Sequence, residues 1–287
     1  MEFYRCMVLL AGCCLVSSAV IADDVNVILL GGQSNMVGRA SARGLENPLS
    51  QPQTDVGLFY SGGGSLAANT WIDLTPGSGT DFGPEVTLGR TLADRFPSES
   101  FALIKHAEGG TSLHTDWDPN TGGEYATFTD TVQAGLQAII DAGDTPNIVG
   151  MAWLQGERDA VSGRTQSQYA ADLTEFISAV RSDFAGGAEL PFIIGRLSDK
   201  QFAGTNNAAG REAIQAAQDE VASTVAGVGT FNTDTLTLND DRHFDAAGQQ
   251  AMGTLFAQTW VSVAPEPSSL SALLCGGLLL IRRRRAA

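Results

Sequence analysis

Five short apolar runs recur along the chain: Val25 to Leu30, Asp55 to Tyr60, Phe101 to Lys105, Asn147 to Leu154 and Pro191 to Leu197. Each is rich in Val, Ile, Leu and Phe and too short for an ordinary helix, so each reads as a strand. Amphipathic segments separate them. Thr127 to Ala142 carries Val132, Leu136, Ile139 and Ile140 at helical spacing, and Gln166 to Phe184 gathers Tyr169, Leu173, Phe176, Ile177 and Val180 on one face. Further helices are expected at Gly83-Pro84-Glu85 to about Phe96, at Asn207 to Thr224 and at Ala246 to Val261, with a short extra strand at Val228 to Asn232. Strands alternating with helices at this spacing make a parallel sheet covered on both faces. The expected fold is α/β: a three-layer α/β/α sandwich, flavodoxin-like, around a mainly parallel five-stranded sheet.

The two ends stand apart from that pattern. Met1 to Ala22 has Arg5, an apolar run from Met7 to Val16 and small residues before Asp23. It reads as a secretory signal peptide, residues 1–22, cut after Val20-Ile21-Ala22 by signal peptidase. Leu10-Ala11-Gly12-Cys13 also resembles a lipoprotein cleavage box, which leaves lipidation at Cys13 as an alternative. At the other end Ala264-Pro265-Glu266-Pro267-Ser268 precedes an apolar run to Ile281 and four arginines, Arg282 to Arg285. Residues 265–287 resemble a PEP-CTERM sorting tail, the substrate of bacterial exosortases; a plain membrane anchor is the alternative reading. Either way the expectation is an exported domain, residues 23–264, secreted or held at the cell surface.

All four cysteines lie in those ends, at Cys6, Cys13, Cys14 and Cys275, so the domain has no disulfide and no cysteine nucleophile or metal ligand. It keeps twelve basic against thirty acidic residues, a balance near −18. Such a surface repels nucleic acid and anionic polymers and suits neutral polysaccharide better. No cluster of residues has metal-ligand spacing and no glycine-rich loop has a phosphate-binding pattern, so no cofactor is expected.

The first strand runs into Gly31-Gly32-Gln33-Ser34-Asn35-Met36. The glycines permit a sharp turn, and Ser34 follows at the carboxyl end of the strand, where open α/β sheets place their sites. Three further stretches matter: Gly109-Gly110-Thr111-Ser112-Leu113, Trp153-Leu154-Gln155-Gly156-Glu157 and Asp240-Asp241-Arg242-His243. In this order the four blocks resemble those of the SGNH (GDSL-like) hydrolases, and more closely the sialate O-acetylesterase and acetylxylan esterase branch, carbohydrate esterase family 6. The resemblance covers roughly residues 24 to 260.

A serine hydroxyl attacks poorly without an adjacent base. Of the three histidines, His106, His114 and His243, the last has the best context, because Asp240 lies three residues before it. Ser34 is therefore the expected nucleophile, His243 its base and Asp240 the acid that orients the base. The resemblance leaves Glu157 as the alternative acid, since parts of that branch assign the role to this block's glutamate. It also implies an oxyanion hole from the Ser34 N–H, a Gly110 or Gly109 N–H and the Gln155 side-chain amide. Arg39, Thr111 and Trp117 are the expected substrate contacts, Trp117 by stacking on a sugar ring or, alternatively, as a partly buried loop residue. His106 reads as structural. The implied activity is removal of O-acetyl groups from an acetylated oligo- or polysaccharide through an acetyl-serine intermediate. A lipid esterase or thioesterase of the same fold, or a non-catalytic carbohydrate-binding protein, are the alternatives.

Overall fold

A computed structural model describes residues 23–64, 69–76 and 81–264. The expected signal peptide, the alternative lipidation box at Cys13 and the expected C-terminal sorting tail lie outside the described residues. Along the chain the elements are β1 (Asp24–Gly32), α1 (Ser34–Val37), β2 (Ala40–Ser41), β3 (Gln53–Gly62), β4 (Trp71–Leu74), β5 (Asp81–Phe82), α2 (Glu85–Arg95), β6 (Ser100–Ala107) and α3 (Gly123–Ala142). They continue with β7 (Thr145–Leu154), α4 (Glu157–Val161), α5 (Gln166–Ala185), β8 (Phe192–Gly195), α6 (Ala208–Thr224), β9 (Val228–Phe231) and α7 (Ala246–Val263).

The main sheet has seven strands in the order β4-β3-β6-β1-β7-β8-β9, all parallel except β4, which runs antiparallel to β3. Within it β6-β1-β7-β8-β9 is a five-stranded parallel core in the flavodoxin-like order, and β3 and β4 extend one edge. The sheet is mainly parallel, as the alternation predicts, with two differences. The run at Val228 completes the core, and the run at Asp55 to Tyr60 stands outside it. The edge strand at Trp71–Leu74 went unread because four residues carry too little periodicity to register.

Each strand feeds two hydrophobic layers. Val27 and Leu29 of β1 face one layer with Phe128 of α3, Phe176 of α5 and Ile214 of α6. Ile28 and Leu30 face the other with Leu88 of α2, and Met252 and Phe256 of α7. This two-residue alternation explains why β1 is apolar on both sides. Phe176 sits at the centre of the first layer, its ring 4.4 Å from that of Trp153. Truncating such a side chain to alanine typically costs about 3–5 kcal/mol.

Local signals set the helix ends. Thr165 and Gln168 form a reciprocal cap on α5, and Gly186 closes it in a left-handed conformation. The Asp245 side chain accepts the Gly248 N–H at 2.8 Å and caps α7. That cap leaves Asp240 free for other work in the preceding loop.

The chain leaves β1 toward β3 and β6 on one side and returns through α3 to β7 on the other. The crevice at the carboxyl ends of β1 and β7 is therefore the switch point where such sheets hold ligands.

Candidate active site

The turn after β1 is built on a contact that only glycine allows. Gly32 has φ +146°, and a Cβ there would lie 2.2 Å from the Leu154 carbonyl oxygen of β7. The Gln33 N–H donates to that same carbonyl at 3.0 Å. Ser34 follows as the first residue of the four-residue α1 and is 8% exposed.

The Ser34 hydroxyl meets His243 Nε2 at 3.0 Å, across 209 residues of chain. His243 Nδ1 lies 2.8 Å from Asp240 Oδ2. Asp240 Oδ1 accepts the backbone N–H groups of Arg242 at 2.8 Å and His243 at 2.7 Å, so the carboxylate turns the loop and holds the ring together. Partial burial pushes the Asp240 carboxyl up, but the hydrogen bonds from His243 and the two amides win and hold it below the usual carboxylate range. An ionised Asp240 only accepts. Nδ1 therefore carries the proton, and Nε2 offers its lone pair to the Ser34 hydroxyl.

Glu157, the alternative acid, touches neither ring nitrogen. It is 3% exposed at the start of α4, and its Oε1 accepts the side-chain amides of Asn35 at 2.5 Å and Gln201 at 3.1 Å. Both amides also donate to the Arg242 carbonyl, at 3.0 and 2.7 Å. Glu157 thus braces the peptide just before His243 from behind. Burial raises its carboxyl pKa against these bonds, and its Oε2 is buried with no hydrogen-bond partner among the described residues. Asn35, beside Ser34, also accepts the Phe244 N–H at 3.1 Å. The sequence reading passed over Asn35 and Gln201; nothing in their spacing reveals a shared acceptor.

A cavity of about 400 Å³ opens over the serine, lined by Ser34, His243, Arg39, Glu108, Gly109, Gly110, Arg158 and Arg242 among others. Among the described residues, the Ser34 and Gly110 N–H groups have no hydrogen-bond partner, whereas the Gly109 N–H is spent on Glu108 Oε1 at 3.0 Å. Gly110, at φ +77°, is the loop glycine with a free donor.

Three expected site residues turn inward instead. Gln155 is fully buried, and its Nε2 faces Thr111 O, Gln33 Oε1 and Asp159 Oδ2; none of its donors reaches the cavity. It braces the 109–113 loop from behind rather than lining the cavity, because Asp159 in turn accepts Ser112 Oγ at 3.0 Å and the Leu113 N–H at 2.9 Å. Thr111 is 7% exposed and donates to Glu108 O while accepting Trp117 Nε1. Trp117 is fully buried, 5.0 Å from the Trp153 ring, and has no face for a sugar. Arg39 does line the cavity, close to the serine: a Cβ on Gly109 would lie 3.2 Å from Arg39 Nη2 and 3.8 Å from Ser34 Cβ.

Two buried groups complete the surroundings. Lys105 of β6 donates to the Val37 carbonyl at 3.1 Å and to Glu85 Oε2 at 2.7 Å, pinning the far end of α1. Burial draws its ammonium below the usual lysine range, partly offset by Glu85. His106 forms a second Ser–His–carboxylate set, with Ser61 Oγ at 2.7 Å from Nδ1 and Glu124 Oε2 at 2.8 Å from Nε2. Among the described residues, no group of three or more His, Cys, Asp or Glu side chains is placed to hold a metal ion.

Residues 24–262 match the family model described as carbohydrate esterase, sialic acid-specific acetylesterase. A protein of Arabidopsis thaliana superposes with TM-score 0.67 at 19% identity, over 84% of this chain and 99% of its own. NanS does so with TM-score 0.66 at 14% identity, over 85% and 98%. A carbohydrate acetylesterase from Xanthomonas citri gives TM-score 0.57 at 18% identity, over 83% and 56%. A comparison with curated protein sequences found no significant match. At these identities the structural likenesses speak for the fold, while the family model spans nearly the whole described region: the chain belongs to the sialic acid-specific acetylesterase family of carbohydrate esterases.

Proposed function

We propose that the protein is an exported serine esterase that removes O-acetyl groups from carbohydrate through an acetyl-serine intermediate. The observation that carries this reading is the Ser34–His243–Asp240 relay opening on a cavity beside two unpartnered N–H donors. Ser34 Oγ attacks the acetyl carbonyl while His243 Nε2 takes its proton. The oxyanion forms within reach of the Ser34 and Gly110 N–H groups, donors fixed before the charge appears. Collapse breaks the ester bond, and the departing sugar oxygen takes the proton from His243. A water molecule, activated by His243, then releases acetate from Ser34 by the same steps. Family membership supports acetyl as the acyl group. Arginine and glutamate side chains line the cavity, which suits a sugar better than a long acyl chain. The apolar segments at both ends of the chain support export.

The test is acetate release from p-nitrophenyl acetate, acetylated xylan and O-acetyl sialic acid, beside the Ser34→Ala variant. Release that disappears with Ser34→Ala is expected. Equal background release from both proteins would overturn the reading and favour a carbohydrate-binding protein.

A further inference from the structure

In so acidic a domain, most cations are engaged. Arg90, Arg164, Arg196, Arg211 and Arg242 each have a carboxylate partner, and Arg181 is bound to backbone carbonyls. Among the described residues four guanidiniums have no hydrogen-bond or ion-pair partner. One, Arg95, lies in the last turn of α2, before the opposite end of the sheet. The other three, Arg39, Arg43 and Arg158, gather at the site. Arg39 and Arg158 line the catalytic cavity. Arg39 also forms the wall of a second cavity of about 370 Å³, with Arg43, Ser41, Asp81, Asn239 and Asp245.

The acids near these arginines have their own donors. Glu108 accepts Gly109 N–H, Asp241 pairs with Arg242, and Asp245 accepts the Gly248 N–H and the Thr237 hydroxyl. Asp81 alone has no hydrogen-bonding donor among the described residues, and with Asn239 it offers acceptors for hydroxyl groups. Two solvated guanidiniums beside hydroxyl acceptors, one cavity away from the nucleophile, match a sugar bearing a carboxylate. Arg binds a carboxylate through two parallel N–H bonds, and hydroxyls satisfy Asp81 and Asn239.

We propose that this second cavity is a subsite for a carboxylate-bearing sugar linked to the acetylated one, so that the substrate is a chain of acidic sugars rather than a neutral polysaccharide. The net charge near −18 argues for neutral polymers only at long range. Within about 8 Å, the screening length at physiological salt, local unpaired cations govern what binds. Repulsion over the rest of the surface then restricts an acidic chain to this one patch. The inference rests on the esterase reading for what happens at Ser34, but the binding it predicts is independent of turnover.

The experiment measures binding of unacetylated oligogalacturonides and xylo-oligosaccharides, each of one to four units, to the wild-type protein and to Arg43→Ala and Arg43→Lys. Wild type should bind the acidic dimer and longer oligomers about tenfold tighter than neutral oligomers of equal length, an advantage that weakens with added salt. Arg43→Ala should remove most of that preference, and Arg43→Lys should restore part of it. Equal binding of acidic and neutral oligomers, or a preference untouched by Arg43→Ala, would overturn the subsite. Acetate release from acetylated acidic and neutral oligomers, measured in parallel, reports the esterase reading separately: binding without release would sink that reading and leave the subsite standing.

Discussion

The molecule contains two Ser–His–carboxylate sets with nearly the same distances. At the rim, Ser34, His243 and Asp240 are linked at 3.0 and 2.8 Å. Inside, Ser61, His106 and Glu124 are linked at 2.7 and 2.8 Å. The differences lie around them. The His106 side chain is 2% exposed against 24% for that of His243, Ser61 is also bonded to Thr131 Oγ1 at 2.6 Å, and none of the inner set lines the cavity over Ser34. His106 packs against Trp117 with ring centroids 5.4 Å apart. It uses Nδ1 toward the serine, whereas His243 uses Nε2. A hydrogen-bonded triad is therefore a motif for satisfying buried polar groups as much as for chemistry. Access of the histidine to solvent, a neighbouring cavity and unpartnered N–H donors beside it distinguish the rim set from the buried one.

The sharpest break between the sets is at the serines. Ser34→Ala should lower kcat for acetate release by about 10⁴-fold or more, and Ser61→Ala by less than about tenfold. A collapse in both, with both variants folded, would erase the distinction. The acids come next. Asp240→Asn should reverse the tautomer of His243 and cost roughly 10³- to 10⁴-fold in kcat with little change in KM. Glu124→Gln should have a small effect, and Glu157→Gln, acting only through Asn35, Gln201 and the Arg242 carbonyl, should cost about tenfold. A Glu157→Gln loss as large as that of Asp240→Asn would return the acid's role to Glu157.

Stability should show the reverse ranking. His106→Phe takes the imidazole from Glu124 and leaves Ser61 with Thr131 alone; it should lower unfolding stability by about 1–3 kcal/mol in a denaturant titration, with kcat within a few-fold. The smallest effect concerns pH. The Asp240 carboxyl is held below its ordinary value in the folded state. Its contribution to stability is therefore present above the ordinary carboxylate pKa and is lost as pH falls through the lower folded value. The stability gap between wild type and Asp240→Asn should narrow in acid; a gap that widened there would contradict the assigned hydrogen bonds.

What was legible in the sequence was mostly local. Asp240 and His243 are three residues apart in one turn, so spacing alone brings them together. Strand ends at a switch point bring Ser34 and Gly110 to one rim, which alternation of strands and helices is enough to predict. The direction of a side chain across the sheet was not legible. Gln155 follows β7 as a site residue should, yet Thr111 and Asp159 claim its amide from below. Trp117 sits in a loop, where aromatics often meet ligands, but Trp153 and Phe176 form a core that draws it in. Glu85 and Lys105 are separated by 20 positions, and only the packing of α2 against β6 brings them to 2.7 Å. Net charge is an average in the same way, and does not reveal the patch where Arg39, Arg43 and Arg158 have no partner among the described residues.

Asn35 joins the two halves of the relay before any substrate arrives. It follows Ser34 in the chain and binds the Arg242 carbonyl and the Phe244 amide, on either side of His243. Serine and histidine are thereby tied to one side chain. The time course of covalent labelling should reflect this. A serine-directed organophosphate should modify the resting protein in a single exponential, without a lag, at a rate proportional to reagent concentration. Cutting the tie with Asn35→Ala should introduce a slow phase independent of reagent, the time the loop takes to find its place.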